Sequence, residues 1–505
     1  MALVAILVVA ALLRFWGVTR LGLTIWDEGL YAMAGRLLVS KPLEGLSELR
    51  TIAAAPLFSI LVGMAQAILG PVDWAGIAVS AAAGTLTVYL VYLLGKRLYG
   101  PEPGLLSALF VAVSPYHVMY SRMGLTETTF VLFALLTVFF FTQAMDHGSL
   151  RAYVLGGTAA GLMLNTKYSG LLVLASCLLV WMWSRVTSRL RVRRPISEQG
   201  LGEGSVREGS SVVVLFLFCL TVAVLFLPWV VFLAARWWGY WELLRRPVGY
   251  TAVATGGRIL TPPPLILAYL LRWTSSAFLV LALVGGLVAL RRRKAGDGLL
   301  LAYVLIYSLG VMIYLKYPRL ALPLLPPLAL LAGNGGKVVL EGSQRKTFKV
   351  AILGVVLLTA FDLGRSSIPL LSVRADGYRS AARFVEALPR DVRVFEKTQP
   401  NSRFYTSRPL HLADSPEVRR ALVREGTKYL VVDQTLTWAA FSAGVVEQNR
   451  DRLRLVAKIP NPTYEVVYLQ PATPEKMKRL ANDDIPDEYR YIFVYVTDQP
   501  LVLPR

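Results

Sequence analysis

Two adjacent carboxylates, Asp27 and Glu28, follow the first apolar stretch of the chain, in the sequence L-T-I-W-D-E-G-L-Y. A charged side chain at a membrane boundary must be paired or solvated, unless it takes part in a reaction there. A carboxylate beside an apolar wall can act as a general base on a hydroxyl or amine, and Tyr31 follows closely as a further polar group. The alternative is structural, because carboxylates also stabilise a helix N-terminus, and a helix over Gly29–Val39 would begin here.

A second motif, S-P-Y-H-V-M-Y-S-R-M-G-L-T-E, joins two later apolar stretches and contains Arg122 and Glu127. A tight turn at this place can aim both side chains into one site. The alternative is that Arg122 extends to the lipid headgroups and that Glu127 pairs with it.

Further cations stand in N-T-K-Y-S-G and K-Y-P-R-L-A-L-P, namely Lys167, Lys316 and Arg319, with Tyr317 beside them. Clustered cations at a membrane surface suit a phosphate, which Arg binds through two parallel hydrogen bonds and Lys as a point charge. Interfacial anchoring explains any one of these residues equally well. It explains less well why all of them would share a side with the carboxylates.

The composition indicates a multi-pass membrane protein, because 55% of the 505 residues are hydrophobic and only 17% are charged. The net charge of +21 suits cytoplasmic loops and anionic lipids, and no motif indicates a nucleic-acid partner. The two cysteines lie in apolar runs, which argues against redox chemistry. We expect about eleven spans, near 2–19, 74–94, 104–120, 129–145, 151–166, 169–184, 211–235, 266–290, 299–315, 320–335 and 348–365.

Loop charges predict the orientation of these spans. The connections 185–210, 291–298 and 337–349 carry six, four and four Lys or Arg residues, which places them in the cytoplasm together with the N-terminus. If the apolar segment 51–70 does not cross, all the candidate site residues fall outside. We therefore expect 51–70 to lie in the outer interface.

A change of composition near residue 366 predicts two domains, a helical membrane domain over 1–365 and a small α/β domain over 366–505 outside the cytoplasm. Strands are predicted at 391–396, 428–433, 464–469 and 491–496. Helices are predicted at 380–388 and 415–425, the second capped by Ser415.

Taken in order, W-D-E-G-L-Y-A, the segment around Pro56, S-R-M-G-L-T-E, K-Y-S-G and Y-P-R-L-A-L-P-L-L-P-P resemble the polytopic GT-C glycosyltransferases. The nearest resemblance is to the protein O-mannosyltransferase and aminoarabinose-transferase families, over about residues 1–365. It implies inverting transfer of a sugar from a polyprenyl-phosphate carrier to a protein, lipid or glycan acceptor outside the cytoplasm. No nucleotide-binding fold is needed for such a donor.

The resemblance also implies roles for the site residues. Asp27 matches the catalytic base, Glu28 and Glu127 match acidic substrate-binding positions, and the cationic positions near the carrier phosphate are matched by Arg122, Lys167 and Arg319. The chain departs from several relatives in having Glu at 127 and in lacking a histidine motif over 236–265. No cofactor is certain and a divalent metal stays possible. The main rival function is a transporter or lipid-linked glycan flippase without transferase chemistry.

Overall fold

A computed structural model describes residues 1–51, 53–147, 149–192, 207–234, 270–271, 274–314, 318–342, 346–374, 376–397, 399–433, 440–461 and 490–504. Among these residues, helices dominate the first three quarters of the chain, and strands occur in the last quarter. The helices of the membrane part are α1 (Ala2–Phe15), α2 (Trp26–Ser40), α3 (Pro42–Thr51), α4 (Leu57–Leu69), α5 (Ala75–Tyr99), α6 (Pro101–Val113), α7 (Pro115–Ser121), α8 (Glu127–His147), α9 (Leu150–Leu164), α10 (Gly170–Val192), α11 (Arg207–Ala234), α12 (Ser276–Arg292), α13 (Ala295–Tyr314), α14 (Leu325–Gly342) and α15 (Lys346–Ser367).

Among the described residues, six helical segments are long and apolar enough to cross a bilayer, so the chain is a polytopic membrane protein. Helices α6 and α7 add a seventh candidate if they form one span, bent by 59°. Among the described residues, the apolar helical segments Leu57–Leu69, Leu150–Leu164 and Gly170–Val186 are shorter. The predicted number of about eleven spans and the interfacial position of 51–70 stay predictions.

The bend between α6 and α7 is stabilised by a buried arginine of α1. Pro115 has no N–H group, so it cannot bond the carbonyl of Val111 four residues earlier. The Arg14 guanidinium fills this break and donates to the carbonyls of Val111 and Ala112, each at 3.0 Å. It also lies 2.9 Å from Nδ1 of His117.

Basic residues gather at one end of the bundle, where α5 ends. Arg97 pairs with Asp146 at 2.8 Å. The Arg292 guanidinium donates to the carbonyl of Leu98 at 3.3 Å, and the Lys337 ammonium donates to that of Tyr99 at the same distance. The predicted cytoplasmic connections that follow α12 and α14 therefore meet at this end.

The last quarter folds into a five-stranded sheet with helices, as predicted. The strands are β1 (Arg393–Glu396), β2 (Leu410–His411), β3 (Lys428–Val432), β4 (Arg454–Pro460) and β5 (Tyr491–Thr497), in the order β2-β1-β3-β5-β4. Strands β2, β1 and β3 are parallel, whereas β5 runs antiparallel to β3 and β4. The helices are α16 (Gly377–Ala387), α17 (Gln399–Tyr405), α18 (Pro416–Val423) and α19 (Ala440–Glu447).

Three of the four predicted strands correspond to β1, β3 and β5, and the fourth, at 464–469, lies outside the described residues. Both predicted helices are present, and the backbone N–H of Val418 donates to the Ser415 hydroxyl at 3.2 Å as an N-cap. Strands β2 and β4 were not predicted. β2 has only two residues, and β4 is an edge strand without a regular alternation of buried and exposed side chains.

Candidate active site

Asp27 lies in the first turn of α2, at the end of the bundle opposite the basic loops. Ile25 before the helix is extended, with φ −126° and ψ 157°, so the chain turns sharply into α2. The first turn of a helix favours carboxylates because the unpaired backbone N–H groups there carry partial positive charge. The structural alternative considered for the Asp27 and Glu28 pair thus accounts for part of their placement.

The Asp27 carboxylate forms an ion pair with Arg319, with Oδ2 and Nη2 2.6 Å apart. Arg319 lies in the 3₁₀ helix Pro318–Leu324, which is 292 residues away in sequence. The Asp27 side chain is 28% exposed and that of Arg319 is 13% exposed. The pair is therefore sheltered, but a ligand can still reach the carboxylate.

Glu127 is the centre of a second pair at the start of α8. Its side chain is buried, and its Oε1 accepts a hydrogen bond from the Lys167 ammonium at 2.7 Å. The same oxygen lies 3.5 Å from Nε of Arg319. Asp27, Arg319, Glu127 and Lys167 thus form one chain of alternating charges, which we call the charge chain.

Tyr31 stands one turn after Asp27 on α2 and borders the charge chain. Burial and the neighbouring carboxylates of Asp27 and Glu127 raise the pKa of its hydroxyl, which also hydrogen-bonds with Thr126. The phenol therefore stays neutral and retains a proton to donate. Its ring packs edge-on against Phe58, with centroids 5.3 Å apart, which fixes its orientation.

The structure turns Glu28 away from the charge chain. Its Oε2 accepts hydrogen bonds from the backbone N–H and hydroxyl of Thr24, both at 2.7 Å, and from the N–H of Ile25 at 3.1 Å. Its Oε1 accepts from the N–H of Gly124 at 2.6 Å. Burial raises the pKa of Glu28, although these four hydrogen bonds favour the carboxylate. Glu28 joins the start of α2 to the turn before α8.

Arg122 is likewise not brought to the charge chain, contrary to the expectation that it and Glu127 point into one site. Its side chain is buried, and the guanidinium donates to the backbone carbonyls of Trp16 at 2.7 Å, Arg14 at 3.3 Å and Leu13 at 3.4 Å. Carbonyls at a helix C-terminus lack partners within the helix. Arg122 satisfies those at the end of α1, which draws it away from the site.

The two remaining predicted site residues, Lys316 and Tyr317, lie outside the described residues, as does the whole of the 236–265 loop. Two further residues were not predicted from the sequence: Thr24 and Thr126, which hydrogen-bond to Glu28 and Glu127. Thr24 is four residues before Glu28 and Thr126 is one residue before Glu127. Ser and Thr commonly form hydrogen bonds at such positions near the start of a helix.

The described residues do not offer an evident site for a divalent metal. Within them, no group of three or more His, Cys, Asp or Glu side chains is arranged to hold a metal ion. The two carboxylates of the charge chain already face cations. We therefore derive no step of the reaction through a metal.

Comparison with known families gives a match over residues 53–200 to the dolichyl-phosphate-mannose-protein mannosyltransferase family. The chain is also similar to two enzymes described as undecaprenyl phosphate-alpha-4-amino-4-deoxy-L-arabinose arabinosyl transferases. The relative from Pseudomonas aeruginosa is 27% identical over 332 residues, covering 60% of this chain and 54% of the relative. The one from Pseudomonas fluorescens is 27% identical over 339 residues, covering 63% and 55%. The chain thus spans about half the length of the curated relatives it matches.

Solved structures share the architecture over most of the chain. ArnT from Cupriavidus metallidurans in the apo state has a TM-score of 0.57 at 14% identity, covering 98% of this chain and 97% of that one. The oligosaccharyltransferase of Archaeoglobus fulgidus has a TM-score of 0.56 at 12% identity, covering 86% and 69%. At such identities the likeness concerns the fold. The resemblance predicted from the motifs is confirmed: this polytopic membrane protein has the GT-C fold of these solved structures, and part of its sequence is similar to the protein O-mannosyltransferase family and to aminoarabinose transferases.

Proposed function

We propose that the chain is an inverting glycosyltransferase that moves a sugar from a polyprenyl-phosphate carrier to an acceptor outside the cytoplasm. The observation that carries this proposal is the charge chain. In it the partly exposed Asp27 carboxylate lies 2.6 Å from Arg319, and Arg319 also contacts Glu127, which is paired with Lys167. A transfer from a lipid phosphate needs a base for the acceptor and cations for the leaving phosphate. Both are present within one set of contacts.

In this proposal Asp27 takes the proton from the acceptor hydroxyl or amine. The acceptor atom attacks the anomeric carbon from the face opposite the phosphate, and the bond between that carbon and the phosphate oxygen breaks with its electron pair going to the oxygen. Lys167 and Arg319 bind the carrier phosphate and also stabilise the charge that develops on it. Glu127 holds both cations in place, and the neutral Tyr31 hydroxyl borders Asp27 as a hydrogen-bond donor.

The aminoarabinose-transferase relatives and a solved ArnT structure bound to undecaprenyl phosphate support a polyprenyl phosphate as the carrier. They do not extend to the acceptor of this chain, which we leave as a protein, lipid or glycan. In the proposal Glu28 and Arg122 act indirectly, because their contacts hold the backbone around α2 and the end of α1.

The direct test is incubation of the purified protein with a labelled polyprenyl-phosphate sugar. We expect transfer, or slow hydrolysis of the donor when no acceptor is present. Asp27→Asn should lower the rate by about 10²- to 10⁴-fold, since the amide keeps the shape but cannot take a proton. A variant that keeps more than about a tenth of the activity would exclude Asp27 as the base. A donor that binds without reacting would favour the transporter or flippase.

We also propose that the charge chain and the C-terminal domain lie outside the cytoplasm and the N-terminus inside. Leu23 and Asp73 both contact this domain, so the chain between them returns to one side. Helix α4 has 13 residues, a length of about 20 Å at 1.5 Å per residue, against about 30 Å of hydrocarbon. Both observations support an interfacial 51–70 segment.

This orientation is tested by labelling single cysteines in intact cells with a membrane-impermeant reagent, in a protein without Cys219. Gln448→Cys in the C-terminal domain should be labelled from outside. Glu341→Cys, at the end with the basic loops, should be labelled only after the cells are opened. Labelling of both from the same side would contradict the proposed topology.

A further inference from the structure

The C-terminal domain packs directly against the helix that carries Asp27. Helix α17 lies on α2, where Leu23, Ala32 and Phe404 form a buried apolar cluster. The fit is closest at Gly29, two residues after Asp27. A Cβ atom added there would lie 2.5 Å from the backbone N of Asn401 and 2.7 Å from the carbonyl carbon of Pro400, closer than side chains approach in folded proteins.

Polar contacts join the same two parts of the chain around Asp73, a nearly buried residue in the loop before α5. Its Oδ2 accepts hydrogen bonds from Nη2 of Arg379 at 2.5 Å and Nε of the same guanidinium at 3.1 Å. The Tyr405 hydroxyl donates to the same oxygen at 2.6 Å. That hydroxyl also accepts a hydrogen bond from the backbone N–H of Leu23 at 3.3 Å.

These contacts hold the short segment that leads into α2 at two points. Tyr405 binds the N–H of Leu23, and Arg379 donates to the carbonyl of Leu21 at 3.4 Å. Asp27 follows this segment within six residues. The direction from which α2 starts therefore depends on groups of the C-terminal domain.

We propose that Asp73, Arg379 and Tyr405 form an interdomain clamp that positions α2, and with it Asp27, relative to Arg319. All three are positioning residues, since none belongs to the charge chain. Burial and the adjacent Asp73 carboxylate raise the pKa of Tyr405, so its hydroxyl keeps the proton that it donates. The kinetic part of this inference rests on the proposed function, whereas its mechanical part does not.

The clamp predicts a particular kinetic signature. Asp27 is carried by α2, but Lys167 and Arg319 are carried by other elements. A small displacement of α2 should therefore lower kcat and leave the binding of the donor phosphate nearly unchanged. A residue that merely supports the overall fold would instead lower the amount of active protein without separating kcat from KM.

The test variant is Tyr405→Phe, which removes only the hydroxyl that links Asp73 to Leu23. The matched control is Arg403→Ala on the same helix, whose pair with Glu48 at 3.8 Å also joins the two parts of the chain but is 41% and 38% exposed. Exposed pairs contribute little. Hydrogen exchange of the amides of residues 23–30 is measured without substrate, with the amides of β3 as the internal reference.

We expect the residue 23–30 amides of Tyr405→Phe to exchange about three- to tenfold faster than in the wild type, while β3 is unchanged. With a labelled polyprenyl-phosphate sugar, kcat should fall about tenfold, since small misplacements of a reacting group strongly lower rates, and the donor KM should stay within about twofold. Arg403→Ala should match the wild type in both measurements.

Unchanged exchange at residues 23–30 would refute the clamp. Faster exchange with an unchanged kcat would refute its role in positioning Asp27. If the wild-type protein transfers no sugar from any polyprenyl-phosphate donor, the proposed function fails. The exchange result then decides by itself whether the clamp holds α2.

Discussion

Replacing Arg319 with alanine removes the side chain that joins the two carboxylates of the charge chain. Arg319 is 13% exposed, so solvent screens its charge only weakly. A hydrogen bond to a charged group contributes about 1.5–3 kcal/mol. If the carrier phosphate is the partner that Arg319 serves during transfer, its loss should raise the donor KM by about 10- to 150-fold, at 1.4 kcal/mol per tenfold change.

The assay is a titration of labelled polyprenyl-phosphate sugar at saturating acceptor. Arg319→Lys should recover only part of the donor affinity, because a point charge cannot replace the planar guanidinium that faces both Asp27 and Glu127. Arg365→Ala is the control, since this cation near the end of α15 is 72% exposed and its ion pair among the described residues is with Asp362 of the same helix.

Loss of Arg319 should raise the KM of the donor and leave the KM of the acceptor unchanged. If the donor KM of Arg319→Ala equals that of the wild type while the acceptor KM rises, Arg319 serves the acceptor. If both constants stay unchanged and only the thermal stability falls, the pair with Asp27 is structural. Either result refutes the assignment of Arg319 to the carrier phosphate.

Two further variants separate support from chemistry. Glu28→Gln should lower the free energy of unfolding by about 1–3 kcal/mol, because the amide nitrogen must replace one of the two oxygens and then faces the backbone N–H of Thr24 or Gly124. Thermal unfolding in detergent measures this change. An unchanged Tm would contradict it. Arg122→Met should also lower the Tm, since it leaves buried carbonyls at the end of α1 without their donor, while the donor KM of the folded protein stays the same. A weaker donor affinity at an unchanged Tm would instead indicate that Arg122 binds the carrier phosphate, as the resemblance implied.

That Asp27, Glu127, Lys167 and Arg319 meet at one end of the bundle could be predicted from the sequence, because loop charge and the alternation of spans depend on local composition. The pairing of Asp27 with Arg319 agrees with that prediction, although 292 residues separate them. The side of the membrane that this end faces stays a prediction. The Ser415 cap was predictable for the same local reason. In both cases the signal lies in residue types close to the feature itself.

The direction of individual side chains could not be predicted in this way. Arg122 donates to carbonyls at the end of α1, more than 100 residues earlier in the chain. No sequence pattern near Arg122 indicates that these carbonyls need a donor. The contact of Gly29 with Asn401 is similarly distant, and a glycine after two carboxylates carries no local sign of it. Such contacts depend on tertiary packing.

The buried arginine of the first helix, Arg14, can form most of its hydrogen bonds only after much more of the chain has been synthesised. Of its hydrogen-bond partners, only the carbonyl of Ala10 belongs to α1, and the others are 97 to 103 residues further along the chain. At about 5–20 residues per second, a ribosome needs about 5–20 s to make that length. During this interval the guanidinium of Arg14 lacks its later partners, and an arginine within a bilayer is unfavourable by about 2.5–3.5 kcal/mol. A chain interrupted before the end of α6 therefore lacks these partners for the arginine of its first helix, whereas in the complete chain the guanidinium is paired.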